Sequence, residues 1–511
     1  MTSNVADFYK NARVFITGGT GFLGIAIIEK LLRCCPEVGK IYLLVRSKKG
    51  KSIETRIEDL IKNPIFERLI EEKSGSVFTK LEAVAGDVGQ ENLGLSNSDR
   101  QKLVENVNVV IHSAATLDFN ETLRPTVNIN LLGTRRIMEL CQQIKKLKAV
   151  VHVSSAYVNS YLLETEEILY PAPTDAEKLI ELVNKSSDEE LEKITPTILK
   201  DHPNTYTITK HLAEHEVNKC VAKLNAGVGI VRPSMITAAW HEPVPGWTNS
   251  KNGPQGFLMG ASKGVVRRLP VGKSTIYDYI PVDVVVNEIL VTAWHVFENR
   301  DGKLKIFHAT SSTTNPFRWE SVADNIPYYL HQHPMRSAIW YPNLKFHSSL
   351  LMYKISAIFL HFLPAIFLDL LLKITGGRPI LIRLHKNIWN SLNLLEKFIF
   401  TEWKYHNKKT LELSSQLSDK DKEVFFIDMS TLKWNDYFEN LAKGVLRYLN
   451  NEHPRHLEAA KKKDKMLFVV HIAFQVLFHC LMWWLVSCFV GISMSKIPFV
   501  VPVSYALFSL L

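Results

Sequence analysis

In the stretch R-V-F-I-T-G-G-T-G-F-L-G, residues 13–24, an apolar run short enough for a buried parallel strand meets a glycine-rich turn, and a helical pattern follows at once. Strand, tight glycine turn and helix in immediate succession open a parallel α/β unit, and few other folds begin that way. The helical pattern is carried by Phe22, Leu23, Ile25, Ile27, Ile28, Leu31 and Leu32. Gly18, Gly21 and Gly24 suit a tight turn, a close backbone approach to a pyrophosphate and close helix-to-strand packing. The helix N-terminus offers unpaired N–H groups and a positive dipole end to phosphate. The spacing, G-x-x-G-x-x-G, is looser than the usual dinucleotide fingerprint, so a purely structural turn is the competing reading. The strand before and the helix after favour the nucleotide.

The next strand, in K-I-Y-L-L-V-R-S-K-K-G, ends where an acidic residue would hold the ribose 2′-hydroxyl of NAD. Arg46 stands there instead, with Lys48, Lys49 and Lys51 close behind. A cationic cluster fits the extra 2′-phosphate of NADPH, against the alternative of a solvated basic loop. Further strands end at Gly86-Asp87, at H-S-A-A-T (112–116) and at K-A-V-V-H-V-S-S-A-Y-V-N (148–159), with a helical stretch at 125–143 between them. The chain therefore reads as a doubly wound, Rossmann-type parallel sheet. Its strand C-termini share one edge, which brings Asp87, Ala114, Ala115 and Ser155 into one crevice.

Tyr206 and Lys210, in Y-T-I-T-K, lie four apart and so on one helix face, a weak signal alone. The order of parts around them strengthens it: a hydroxyl at a strand end (Ser154 or Ser155), then N-T-Y-T-I-T-K-H-L-A-E-H-E, then the strand G-I-V-R-P-S with Pro233 and Ser234. That order resembles the extended short-chain dehydrogenase/reductases. The chemistry explains the residue types. Hydride arriving at a carbonyl carbon leaves an oxyanion that needs a proton, which a phenol of ordinary pKa near 10 yields reluctantly. A neighbouring ammonium is expected to stabilise the phenolate and lower that pKa, and Ser155 to donate a second hydrogen bond to the oxyanion.

Taken together, T-G-G-T-G-F-L-G, H-S-A-A-T-L-D-F-N-E, H-V-S-S-A-Y-V-N, Y-T-I-T-K and the block W-H-E-P-V-P-G-W-T-N-S-K-N-G-P (240–254) resemble the fatty acyl-CoA reductases. The resemblance extends to T-G-G-R-P (375–379) and F-F-I-D-M-S-T-L-K-W-N-D-Y (425–437). It implies NADPH-dependent reduction of a long-chain fatty acyl-CoA to a primary alcohol through a bound aldehyde. By position it implies catalytic roles for Ser155, Tyr206 and Lys210. Cofactor contacts fall to Gly18, Thr20, Gly21, Phe22, Leu23, Gly24, Arg46, Asp87, Ala114, Lys210 and Pro233. Many relatives carry threonine where this chain has Ser155, and either side chain supplies the hydroxyl. Two rival classes share parts of the pattern: a membrane-bound hydroxysteroid dehydrogenase, and a non-catalytic NADP-binding membrane scaffold. The 240–254 block argues against the first, and the retained tyrosine-lysine pair against the second.

The 511 residues suit two or three domains, and the reading divides them at 1–345 (catalytic), 346–460 (helical) and 461–511 (basic stretch and anchor). A formal net charge of +10 without a nucleic-acid motif favours a membrane surface or anionic small molecules as partners. The six cysteines show neither metal-ligand spacing nor a disulfide framework, and no metal is expected. The N-terminus has no signal-peptide pattern, so the first domain is expected to fold in the cytosol. Residues 466–490 carry no formal charge and are long enough to cross a bilayer. The preceding K-K-K-D-K faces the catalytic domain to the cytosol by the positive-inside rule, in the endoplasmic reticulum or peroxisomal membrane. The second apolar run, 497–511, is broken by Pro498 and Pro502. Three readings stay open for 355–372: a buried helix, an interfacial one, or, least in keeping with Asp369, a span. The stretch 161–204 is either a lid over the acyl chain or a peripheral insertion. Homo-oligomerisation stays open too.

Overall fold

The computed structural model describes residues 3–46, 50, 52–490 and 502–504. Lys48, Lys49 and Lys51, and most of the 497–511 run, lie outside them. Seven strands form one sheet: β1 (Arg13–Thr17), β2 (Lys40–Val45), β3 (Leu81–Ala85), β4 (Val109–His112), β5 (Ala149–Val153), β6 (Gly227–Pro233) and β7 (Lys305–Ala309). Their spatial order is β7-β6-β5-β4-β1-β2-β3, and every pairing is parallel. The chain winds outward from β1 in both directions. The reversal between β1 and β4 is the crevice where doubly wound sheets hold ligands. Val14 sits between Ile41 and Val109, and Thr17 between Leu44 and His112, so the register carries the strand ends to a common edge.

The strands are near-continuous apolar runs because helices cover both faces. β4, β5 and β6 are buried throughout. On one face Phe15, Leu44, Val84, Val110, Val150 and Ile230 pack with Leu103, Ile137, Leu140 and Val217 from the helices. Gly227 permits the helix Val282–Glu298 to seat directly on β6, since a Cβ there would lie 1.9 Å from the Val296 carbonyl oxygen.

The 161–204 stretch folds into two helices, Ala176–Lys185 and Asp188–Leu199. Leu179, Val183 and Leu191 from them make a small core with Leu123, Val127, Leu131, Ile208 and Leu212. Ile208 and Leu212 belong to the helix Thr205–Val221, so the insertion is packed onto that helix.

By contact the chain forms two compact units. The first comprises Met1–Asn249, Ile276–Phe317 and Glu402–Lys433; the second, Ser250–Thr275, Arg318–Thr401 and Trp434–Leu511. The second is mostly helical and includes two helices long and apolar enough to cross a membrane, Leu350–Ile374 and Pro454–Phe489.

Candidate active site

Gly18 adopts φ +74°, which only glycine takes without strain, and turns the chain out of β1. The helix Phe22–Cys34 then starts at Gly21, which has no side chain to cap it, so the first-turn N–H groups face the loop. Helix and loop touch at Gly24, where a Cβ would lie 2.2 Å from the Gly18 carbonyl oxygen and 2.6 Å from the Gly19 Cα. Ser113 donates to the Thr17 carbonyl at 2.8 Å, which fastens the β4 turn to the loop. The neighbouring Ala114 is held by a longer chain of bonds. Thr134 Oγ1 donates to the Asn130 carbonyl (2.7 Å) and so accepts from His112 Nε2–H (3.1 Å). His112 Nδ1 then accepts from Thr17 Oγ1 (2.7 Å), whose oxygen accepts the Ala114 N–H (3.2 Å). Burial lowers His112 to about 3, which keeps the ring neutral and this direction of bonding fixed.

Phe22, the first helical residue, stacks on the buried ring of Trp247 with centroids 5.3 Å apart. The loop bearing Trp247 is held at its start by Asp283, whose carboxylate accepts the N–H groups of Trp240, His241 and Glu242 at 2.9, 2.7 and 3.0 Å. Leu23 follows Phe22 in the helix's first turn.

Arg46 follows β2 directly and lies 3.9 Å from the Asp87 carboxylate beyond β3. Arg56 joins them. It projects from the helix Ile53–Ile61, donates to the Arg46 carbonyl, and donates to Thr20 Oγ1 at 2.9 Å. Two guanidiniums therefore converge between the glycine loop and the β2 edge, and burial, with the charge of Arg46, lowers the pKa of Arg56. Sequence reading missed Arg56, although it lies only ten residues beyond Arg46.

Ser155 lies just past β5 and accepts the N–H of Tyr157 at 3.2 Å. Its hydroxyl lies close enough to that of Tyr206, in the first turn of the helix Thr205–Val221, to lower the phenol's pKa. Phe119 lies beside the Tyr206 ring, centroids 5.5 Å apart. One turn on, Lys210 donates to the Val153 carbonyl at 2.6 Å and to His152 Nε2 at 3.3 Å. Burial governs both titrating groups here. It raises Tyr206 to about 12, against the opposing influence of the Ser155 hydroxyl, and lowers Lys210 to about 8. The expected lowering of the phenol by the ammonium is not what this arrangement gives: the bonds of Lys210 go to β5, and desolvation dominates. Tyr206 is thus a neutral phenol at physiological pH.

One turn further, Glu214 is wholly buried. It takes a bidentate ion pair from Arg232 of β6, at 2.8 and 2.6 Å, and a hydrogen bond from Ser154 at 2.6 Å. Arg232, also wholly buried, spends its other donors on the Ile168 and Glu166 carbonyls and His308 Nε2. This pair ties the serine-bearing strand end to the helix of Tyr206 and Lys210, and Glu214 raises the pKa of Lys210 against the effect of burial. Sequence reading missed it, yet an arginine in a strand buried on both faces demands an acid nearby. Pro233 ends β6 opposite Ala309, and the buried hydroxyl of Ser234 beside it has no hydrogen-bond partner among the described residues.

These residues fit a dinucleotide. The glycine junction brings the loop backbone against the helix start, and no side chain caps the N–H groups of the first turn. Two guanidiniums face the far end, and an unpartnered hydroxyl lies at the near end. A phenol and a serine hydroxyl beside such a cofactor supply two donors to one oxygen. Among the described residues no cluster of histidine, cysteine and acidic side chains is arranged to hold a metal.

Two family models, both described as "Male sterility protein", match the chain, an NAD-binding one over residues 16–289 and one called Sterile over residues 360–452. The Drosophila melanogaster protein named "Putative fatty acyl-CoA reductase CG8306" is 57% identical over 516 residues, 100% of each chain. "Fatty acyl-CoA reductase 1" of Xenopus laevis is 37% identical over 480 residues, 94% of this chain and 93% of its own, and that of Homo sapiens is 36% identical over the same span. Among solved structures, the reductase domain of a nonribosomal peptide synthetase from Mycobacterium tuberculosis superposes with a TM-score of 0.56 at 17% identity. It covers 88% of this chain and 96% of that one. The terminal R domain of the myxalamid pathway gives a TM-score of 0.52 at 20% identity, over 86% and 90%. These two likenesses are of fold.

Proposed function

This chain belongs to the fatty acyl-CoA reductase family, and from that membership we propose that it reduces a long-chain fatty acyl-CoA to the primary alcohol, releasing CoA and consuming two NADPH. The observation that carries the reading is the Ser155–Tyr206 hydroxyl pair on the strand edge that also bears the glycine loop. Gly18, Gly21, Gly24 and the N–H groups of the first helical turn would hold the pyrophosphate. Arg46 and Arg56 meet a ribose 2′-phosphate, which favours NADPH over NADH.

The bound nicotinamide supplies hydride, once to the thioester and once to the aldehyde. Tyr206 and Ser155 receive the substrate carbonyl oxygen and stabilise the charge that grows on it. After the first reduction that oxygen re-forms a carbonyl as the thiolate leaves, so the two donors stabilise it without a lasting proton transfer. After the second, the alkoxide takes the Tyr206 proton and becomes the alcohol. Lys210 lies one helical turn from the phenol, held by its bonds to Val153 and His152, and would carry its positive charge toward the ribose of a bound nicotinamide.

Two long apolar helices support membrane association, with Pro454–Phe489 as the anchor. The lysine-rich stretch before it favours a cytosolic catalytic unit, on the endoplasmic reticulum or peroxisome. The test is product analysis with NADPH and palmitoyl-CoA. The wild-type chain is expected to form hexadecanol, and Tyr206→Phe to form none while still binding NADPH. Normal turnover by that variant overturns the assignment, and reduction of a ketosteroid in place of the thioester transfers the chain to the dehydrogenase class.

A further inference from the structure

A helix on a soluble domain turns its apolar side inward. The helix Leu350–Ile374 does the reverse. Its buried positions are Tyr353, Ala357, His361, Ala365 and Asp369, four apart, with Ser356 beside them, and they are mostly small or polar. Its exposed positions include Ile355, Phe359, Ile366, Phe367, Leu370 and Leu371. The buried polar groups are satisfied within the same compact unit. The Asp369 carboxylate accepts the N–H groups of Ile380, Leu381 and Ile382 at 3.0, 3.0 and 2.8 Å, at the start of the helix Leu381–Leu394. His361 Nε2 accepts the N–H groups of Arg267 and Arg268 at 3.1 and 3.2 Å, and its ring stacks on His385. The acid that argues against a span in the sequence is therefore turned away from the surface, pinning the helix that follows.

We infer that this outer face is a lipid-binding surface, separate from the C-terminal anchor, with the acyl region of a bilayer as its occupant. Lipid tails are the one environment in which exposed large aliphatic and aromatic side chains with inward small and polar ones form the stable arrangement. Charge agrees: between residues 350 and 394 Lys354, Lys373, Arg378, Arg383 and Lys386 face a single acid, Asp369, already bonded to backbone. Those cations match anionic headgroups. The return helix exposes Arg383, Lys386, Asn387 and Asn390. It belongs at the headgroup level, with Leu350–Ile374 below it in the plane of the interface rather than across the bilayer.

The experiment uses the full chain in phosphatidylcholine vesicles, with and without phosphatidylserine, carrying a phosphatidylcholine whose acyl chain bears a photoactivated carbene precursor. Lys354 and Lys373 bound a tryptic peptide, so mass spectrometry reads the face directly. Lipid adducts are expected on that peptide as well as on 466–490, with more of them when phosphatidylserine is present. Phe367→Asp combined with Leu370→Asp changes only exposed positions, and is expected to remove those adducts while thermal unfolding and labelling of 466–490 stay as in wild type. Adducts confined to the C-terminal helix overturn the inference. So does retention of labelling in the double variant, or protein–protein crosslinks between copies at this peptide in place of lipid adducts.

Discussion

Substituting Gly24 by alanine tests how tightly nucleotide binding depends on the junction between loop and helix. The added methyl would lie 2.2 Å from the Gly18 carbonyl oxygen, where contacts under 3.0 Å are essentially never tolerated, so helix and loop must part by about 0.8 Å. Both obstacles, the Gly18 oxygen and the Gly19 Cα, are backbone, and no flexible side chain can yield. Overpacking of this kind costs about 1–3 kcal/mol. Because the parted elements are the ones proposed to embrace the pyrophosphate, the cost is expected to fall on cofactor affinity, a rise in the NADPH Kd of roughly 5- to 150-fold at about 1.4 kcal/mol per decade. Isothermal titration calorimetry measures it. Gly21→Ala is the control: its Cβ would stand 3.3 Å from the same oxygen at an ordinary φ of −86°, and a much smaller change is expected. Wild-type affinity in Gly24→Ala, or an equal loss in both variants, refutes the reasoning.

Arg56→Ala is expected to raise the KM for NADPH about tenfold or more while leaving the KM for NADH nearly unchanged, as loss of a phosphate partner does; parallel loss with both cofactors contradicts the assignment. In the proposed mechanism Lys210 acts protonated, and burial lowers it to about 8, so alcohol formation should fall as pH rises through about 8. Glu214 is the group that raises it, so in Glu214→Gln that alkaline limb should move to lower pH, with the KM for acyl-CoA little changed; an unshifted limb removes Glu214 from the positioning role. The same variant leaves the Arg232 cation buried without its counter-charge, and a stability loss of about 3–5 kcal/mol should appear as earlier thermal unfolding.

How much of this was readable in the sequence depends on how local each signal is. β1, the glycine turn and the helix after it are consecutive, so their pattern survives intact in the chain, and so does the i, i+4 spacing of Tyr206 and Lys210. Arg56 reaches Thr20 only because the helix Ile53–Ile61 turns it back, which no run of charges announces. The titration of the pair was misread for a related reason. Residue types suggest an ammonium acting on a phenol, whereas burial and the acceptors on β5 decide where each proton sits. The 355–372 run remained ambiguous because hydropathy counts which residues are present and not which way they point. The inward set of Tyr353, Ser356, His361 and Asp369 becomes visible once the helix is built and its neighbours are known.

Tyr206, Lys210 and Glu214 ride on one helix at successive turns, and the helix acts as a ruler with three marks. Losing or gaining a single residue between the first two marks would swing the later ones by about 100°. Proton donor, cation and buried anchor would then fail together. Families that keep this chemistry should therefore vary freely in the inserted helices stacked on its back while holding the length of this one segment constant.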